Sequence, residues 1–128
     1  MSVEVVISAN FRRKAKKYIK KFRSLKDELA ELEKSLWLNP KQGDRITESI
    51  YKIRLASKSK GKGKSGGFRI ITYLIESISE DQDEVIVTLL SIYDKSEVST
   101  LSDAEIRGLV EDFLVDQENE DGDEGGED

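Results

Sequence analysis

The chain has 128 residues and a formal net charge of −5, and hydrophobic and charged residues each make up 37% of it. This size predicts one domain with a modest core. The absence of cysteine and histidine excludes disulfides, thiolate chemistry and histidine bases. No apolar run approaches the roughly 18 residues that span a bilayer, and no signal-peptide pattern opens the chain, so we expect a cytoplasmic protein.

The net charge is distributed unevenly along the chain. Eight of the 26 acidic residues lie in Asp116–Asp128, which contains no basic residue. Residues 1–115 therefore hold 21 basic and 18 acidic groups, a net charge of +3. We predict a mildly basic domain over residues 1–115 and an acidic tail over residues 116–128. The tail is predicted to be disordered because its acid- and glycine-rich sequence has little to bury.

The first part of the chain predicts a short strand over Val3–Ile7 and then two helices. The apolar face of the first helix has members three and four residues apart: Phe11, Ala15, Tyr18, Ile19 and Phe22. Ser24 is predicted to cap the second helix with Asp27 in a capping-box-like turn. The buried stripe of the second helix is predicted to be Leu25, Leu29, Leu32 and Leu36, and Asn39-Pro40 ends it. So short a connection predicts an antiparallel helical hairpin.

Three strands and a last helix follow. Alternation between Tyr51 and Ala56 predicts a strand with one basic face, and Phe68–Ile78 and Val85–Tyr93 are predicted to be more central strands because they are apolar on both faces. A capping box at Ser102 and Glu105 begins the last helix. The fold class is therefore α+β, with an N-terminal helical hairpin packed on a small antiparallel sheet and a C-terminal helix before the disordered tail.

A basic stretch runs through the first two of these strands. From Lys52 to Arg69 there are seven basic residues and no acidic one. Such a concentration of positive charge repels itself, which indicates a surface that binds phosphate. Four of the seven lie in the glycine- and serine-rich loop and are predicted to attract RNA without fixing its geometry: Lys58, Lys60, Lys62 and Lys64.

The other three basic residues are the candidate catalytic cluster. Lys52 and Arg54 project from the same face of their strand, and Arg69 on the neighbouring strand can lie beside them. Arginine pairs bidentately with phosphate, and crowded cations make a lysine easier to deprotonate. The cluster is therefore predicted to bind and stabilise a phosphate without a metal ion or a cofactor.

Three segments together resemble the RelE/ParE superfamily of bacterial toxins, most closely its HigB-like and RelE-like members. They are residues 52–56, the run 61–73 with its Gly-Phe-Arg motif, and residues 89–97. The resemblance extends from Phe11 to about Leu109 and leaves out the acidic tail. It implies a RelE-like fold and the toxin half of a type II toxin–antitoxin pair, with a cognate antitoxin as partner and a monomeric free toxin.

The resemblance also implies an activity and two further site residues. RelE and HigB members cleave mRNA in the ribosomal A site, which implies a metal-independent, ribosome-dependent endoribonuclease. Transfer of an RNA phosphate to its own 2′-hydroxyl needs a base, a stabilised phosphate and an acid. In the region of the family's last-strand basic residues and tyrosine, this chain has Tyr93 and Lys95, which complete the candidate catalytic set. Two alternatives remain open: a ParE-like inhibitor of DNA gyrase on the same fold, and a nuclease-inactive RNA-binding relative.

Overall fold

The computed structural model describes residues 2–61 and 66–126 of the chain, which form an α+β domain. The strands are β1 (Ser2–Ile7), β2 (Asp44–Arg45), β3 (Ile50–Leu55), β4 (Phe68–Ser77) and β5 (Glu84–Asp94). The helices are α1 (Ala9–Lys21), α2 (Leu25–Leu38) and α3 (Asp103–Gly126). The predicted helices and strands are confirmed within a few residues at their ends, apart from the end of α3, and the two-residue β2 is an addition.

The sheet is mixed, and the prediction of an antiparallel sheet is wrong at one edge. Its strand order is β1-β5-β4-β3-β2. β1 pairs with β5 in parallel, with Val3 beside Val85 and Ile7 beside Leu89, whereas the other neighbouring pairs are antiparallel. Sequence alternation identifies a strand but does not reveal which distant strand it joins, because that pairing depends on the path of the whole chain.

One face of the sheet is covered by α1 and α2, and we call it the α1–α2 face. Its core contains Phe11 and Ala15 from α1, Leu25, Leu32 and Leu36 from α2, and inward side chains of β3, β4 and β5. Ser8 caps α1 by accepting a hydrogen bond from the Phe11 N–H at 3.0 Å.

Ser24 is the N-cap residue of α2, as predicted, but the predicted capping-box-like turn with Asp27 is wrong. Its side chain makes no capping hydrogen bond to the helix, and its hydroxyl instead donates to Glu28 and accepts from the Ser59 N–H at 2.9 Å. The Ser59 hydroxyl accepts in turn from the Ser24 N–H. The residues thus dock the start of the β3–β4 loop onto the N-terminus of α2.

The opposite face of the sheet is partly covered by α3, and we call it the α3 face. The predicted capping box is confirmed: the Glu105 N–H donates to the Ser102 hydroxyl, and the Ser102 N–H donates to the Glu105 carboxylate, both at 3.1 Å. Ile106 and Phe113 are buried in a second core cluster with Ile50, Ile71, Leu90 and Tyr93. Phe113 also meets Tyr73 edge to face.

Helix α3 continues through Gly126, into the segment predicted to be disordered from Asp116. The first turns of α3 are fixed by the capping box and by the packing of Ile106 and Phe113. Adding residues to an existing helix costs far less than nucleating one, and Glu and Gln are good helix formers. The absence of a buried face is therefore not enough to end the helix at residue 116.

Candidate functional site

The three residues of the predicted basic cluster, Lys52, Arg54 and Arg69, lie on the α3 face. In the β3–β4 ladder Arg54 is directly opposite Arg69, and Lys52 is opposite Ile71. Directly paired residues of antiparallel strands project to the same side of a sheet. Arg69 is in turn opposite Tyr93 on β5, so three strands contribute one cross-strand row of Arg54, Arg69 and Tyr93. The register thus brings together four of the five predicted catalytic residues.

Arg69 is almost fully buried, as expected of a residue in the central strand β4. Only 5% of the residue is exposed, and its guanidinium donates to the Phe68 carbonyl at 3.3 Å. Burial limits the movement of the Arg69 side chain, and the ladder holds it between Arg54 and Tyr93.

Tyr93 ends the row beneath the start of α3. The residue is 2% exposed, and its hydroxyl makes no hydrogen bond of ordinary geometry with the described part of the chain. Burial raises the pKa of Tyr93 above 10.0, while the positive charge of Arg69 acts to lower it. The hydroxyl is therefore protonated at neutral pH and can donate a hydrogen bond to a bound group.

A small cavity joins Tyr93 to Lys52. Its volume is about 160 Å³, and its wall is formed by the turn between β2 and β3, by strands β3, β4 and β5, and by the start of α3. The lining residues are Ile46, Lys52, Ile71, Tyr93, Thr100, Leu101, Asp103 and Ile106. The cavity combines an apolar floor with an ammonium, a carboxylate and a buried hydroxyl. That composition suits a ligand with one apolar and one polar side.

Asp44 is a member of the site that the sequence analysis does not predict. β2 pairs with β3 so that Asp44 is directly opposite Lys52, and its carboxylate is 3.8 Å from the Arg54 guanidinium. Gly43 makes this approach possible, since its φ is +94° and a Cβ there would collide with the Lys52 carbonyl oxygen. The Gly43-Asp44 pair after the second helix is the local signal, but only the register connects it to Lys52.

Lys60 is on the other side of the sheet and is buried there, which argues against its predicted role in attracting RNA. Its ammonium donates to the Asp94 carboxylate at 2.6 Å, and the two side chains are only 7% and 3% exposed. The ammonium also lies 4.9 Å from the Phe22 ring centre and 5.3 Å from that of Phe68. Glycines and serines around Lys60 suggest a solvated loop, whereas this lysine is part of the α1–α2 face.

The same ion pair sets the ionisation of Asp94. Burial alone would raise the pKa of Asp94, but hydrogen bonds from Lys60 and Ser96 outweigh it and hold the pKa below 3.8. A carboxylate kept ionised in this way is a fixed partner for the lysine. Lys60 and Asp94 therefore connect the β3–β4 loop to the end of β5.

The remaining predicted residues have separate positions. The Lys95 ammonium donates a hydrogen bond to the Ser99 carbonyl at 2.7 Å and so closes the turn after β5, and its catalytic role stays a prediction. Lys58 is exposed beside the acidic start of α2, where its N–H donates to Glu28. Its role in RNA binding stays a prediction. Lys62 and Lys64 lie outside the described residues.

Comparison with known proteins adds no assignment. No family model matches the sequence, and no solved structure is significantly similar to it. Within residues 2–61 and 66–126 no helix is both long and apolar enough to cross a membrane. The same residues contain no group of three or more acidic side chains arranged to hold a metal ion.

Proposed function

We propose that this protein is a metal-independent endoribonuclease of the RelE type, the toxin of a type II toxin–antitoxin pair that cleaves mRNA on the ribosome. The observation that carries the proposal is the placement of Arg54 directly opposite Arg69, with Lys52 on the same face and Tyr93 next in the row. Two arginines and a lysine on one side of a sheet match the charge of a phosphodiester that gains negative charge as it reacts.

We also propose that α1 and α2 form a helical hairpin packed on the sheet, as in RelE-like proteins. Three residues separate the two helices, and both contribute to the core of the α1–α2 face. The arrangement leaves the α3 face as the side that meets RNA. The proposed setting is the cytoplasm, where ribosomes and a neutralising antitoxin would be the partners of a monomeric toxin.

Ribosome dependence follows from how open the site is. Arg54 has a side chain that is 58% exposed, and no histidine is present in the sequence to act as a general base. A ribosome that orders the message can supply the alignment that such a site lacks, and alignment alone contributes strongly to rate.

The test is to add the purified protein to a translating extract and to the same message without ribosomes. We expect cleavage of the translated message, with 2′,3′-cyclic phosphate ends, and little cleavage of naked RNA. Cleavage of both substrates at equal rates would remove the ribosome from the proposal. Inhibition of DNA gyrase without RNA cleavage would replace it with the ParE-like alternative, and RNA binding with neither activity would indicate an inactive relative.

A further inference from the structure

We infer that Asp44 is the general base of the proposed cleavage and that Lys52 is the general acid. The inference rests on the proposed function and deepens it, because the predicted site contains cations and a tyrosine but no group that readily accepts a proton at neutral pH. Asp44 is directly opposite Lys52, and its carboxylate is 3.8 Å from the Arg54 guanidinium. A carboxylate thus lies within the group of cations that would hold the phosphate.

The segment around Asp44 is built to hold this position. Gly43 permits the close approach of the chain to the Lys52 carbonyl. On the other side, the Arg45 guanidinium donates to the carbonyl oxygens of Thr47 and Glu48, at 3.3 and 3.0 Å, and so fixes the turn that leads into β3. β2 is only two residues long, so these anchors on both sides determine where the Asp44 carboxylate lies.

Solvent access favours a chemical role over a purely structural one. The side chains of Asp44 and Arg54 are 65% and 58% exposed, so their ion pair contributes little to folding. A carboxylate at this position also opposes phosphate binding by the cations around it. The Asp44 carboxylate adds little stability and weakens phosphate binding, so a role as proton acceptor during the reaction would account for its position.

The proposed step transfers the phosphate from the 5′-oxygen to the 2′-oxygen. The Asp44 carboxylate takes the proton of the 2′-hydroxyl, and the 2′-oxygen forms a bond to phosphorus. The bond from phosphorus to the 5′-oxygen breaks, and the Lys52 ammonium gives a proton to that oxygen. The products are a 2′,3′-cyclic phosphate and a 5′-hydroxyl end. Asp44 then loses its proton to solvent and Lys52 regains one, so that no other reactant is consumed.

The experiment compares Asp44→Asn with Asp44→Glu and with a matched control, Glu76→Gln. Glu76 is a half-exposed carboxylate whose ion pair with Lys41, at 2.9 Å, is formed away from the basic cluster. Each protein is assayed for the single-turnover rate on ribosome-bound message across pH, and for affinity to the same message carrying a 2′-O-methyl group at the cleavage site. Circular dichroism and the melting temperature monitor folding.

We expect Asp44→Asn to lower the maximal rate by about 10²-fold or more while binding the methylated message at least as tightly. The rise of rate with pH on the acidic side should flatten in this variant, and Asp44→Glu should restore part of the rate. An unchanged or faster Asp44→Asn protein would overturn the inference and leave the proposed function standing. Absence of cleavage by the unmodified protein would overturn the proposed function itself.

Discussion

The two faces of the sheet each bury a basic side chain from the same lysine- and arginine-rich stretch, and they surround it differently. On the α1–α2 face, Lys60 meets the Asp94 carboxylate and two aromatic rings. On the α3 face, Arg69 lies directly opposite a second arginine on one neighbouring strand and a buried tyrosine on the other.

The two faces can therefore be tested separately, Lys60 for its contribution to stability and Arg69 for its part in the proposed cleavage. The charge of Lys60 is balanced within the folded chain, so its removal should be measured as lost stability. Arg69 lies directly opposite Arg54, and a bound phosphate would be attracted by both guanidinium groups. We therefore expect changes on the α1–α2 face to lower stability and changes on the α3 face to lower cleavage.

The largest expected effect is on stability, from Lys60→Met. Methionine preserves much of the side-chain volume but leaves Asp94 buried without its cation. Removing one partner of a buried ion pair costs about 3–5 kcal/mol of unfolding free energy. Urea unfolding would measure the loss. Lys41→Met, which breaks the exposed pair with Glu76, is the matched control and should cost less than about 1 kcal/mol.

The pH dependence of the stability lost in Lys60→Met shows whether the broken ion pair or the altered packing causes it. In the unmodified protein the lowered pKa of Asp94 gives stability that is present above 3.8 and is lost as pH falls through the lower folded value. Without Lys60, burial should raise the pKa of Asp94, so the variant is most penalised at neutral pH. The stability gap between the two proteins should narrow as pH falls towards 3. A gap that stays constant would show that lost packing, not the ion pair, explains the effect.

On the α3 face the expected effect is on cleavage, from Arg69→Lys. Lysine keeps the buried charge but not the planar fork that pairs with phosphate. We expect cleavage of translated message to fall by about 10²–10³-fold while the circular dichroism spectrum is retained. Arg23→Lys, an exposed arginine between α1 and α2, is the matched control. Full cleavage by the Arg69→Lys protein would contradict an arginine-specific phosphate contact.

Tyr93→Phe should separate activity from stability within one side chain. The substitution removes a buried hydroxyl that lies near the Thr100 side chain without a well-formed hydrogen bond, so the unfolding free energy should change by less than about 1 kcal/mol. Loss of a single hydrogen bond to the reacting RNA should slow cleavage about tenfold. Rate assays and urea unfolding on the same preparation test both parts. A destabilised variant with normal cleavage would make Tyr93 an ordinary core residue.

The smallest effect is expected from the acidic tail over residues 116–128. Replacing its eight acidic residues by Asn and Gln preserves its length and removes its charge. Residues 116, 118, 119 and 120 are exposed, so unfolding free energy should change by less than about 0.5 kcal/mol. If the acidic tail competes with RNA for the lysine- and arginine-rich stretch, removing its charge should tighten RNA binding modestly at low salt. The effect should vanish at high salt, where ions screen the attraction between the tail and that stretch. Equal affinity at low salt would show that the tail does not compete with RNA.

Much of the secondary structure is determined locally by the sequence. The spacing of Leu25, Leu32 and Leu36 defines the buried stripe of α2, and the Ser102–Glu105 capping box begins α3 where predicted. Two-residue alternation also places Lys52 and Arg54 on one face of β3. These features depend on neighbours within a few residues, which is why a single sequence is enough to predict them.

Only the tertiary structure decides which distant residues meet. The register of β3 on β4 puts Arg69 opposite Arg54, and the register of β2 on β3 brings Asp44 to Lys52. A shift of one residue in either ladder would move these side chains to opposite faces. The folding of the loop likewise commits Lys60 to Asp94, although Lys58 two residues earlier remains exposed. Composition predicts that both lysines attract RNA, and only the folded structure shows that Lys60 is buried against a carboxylate while Lys58 is not.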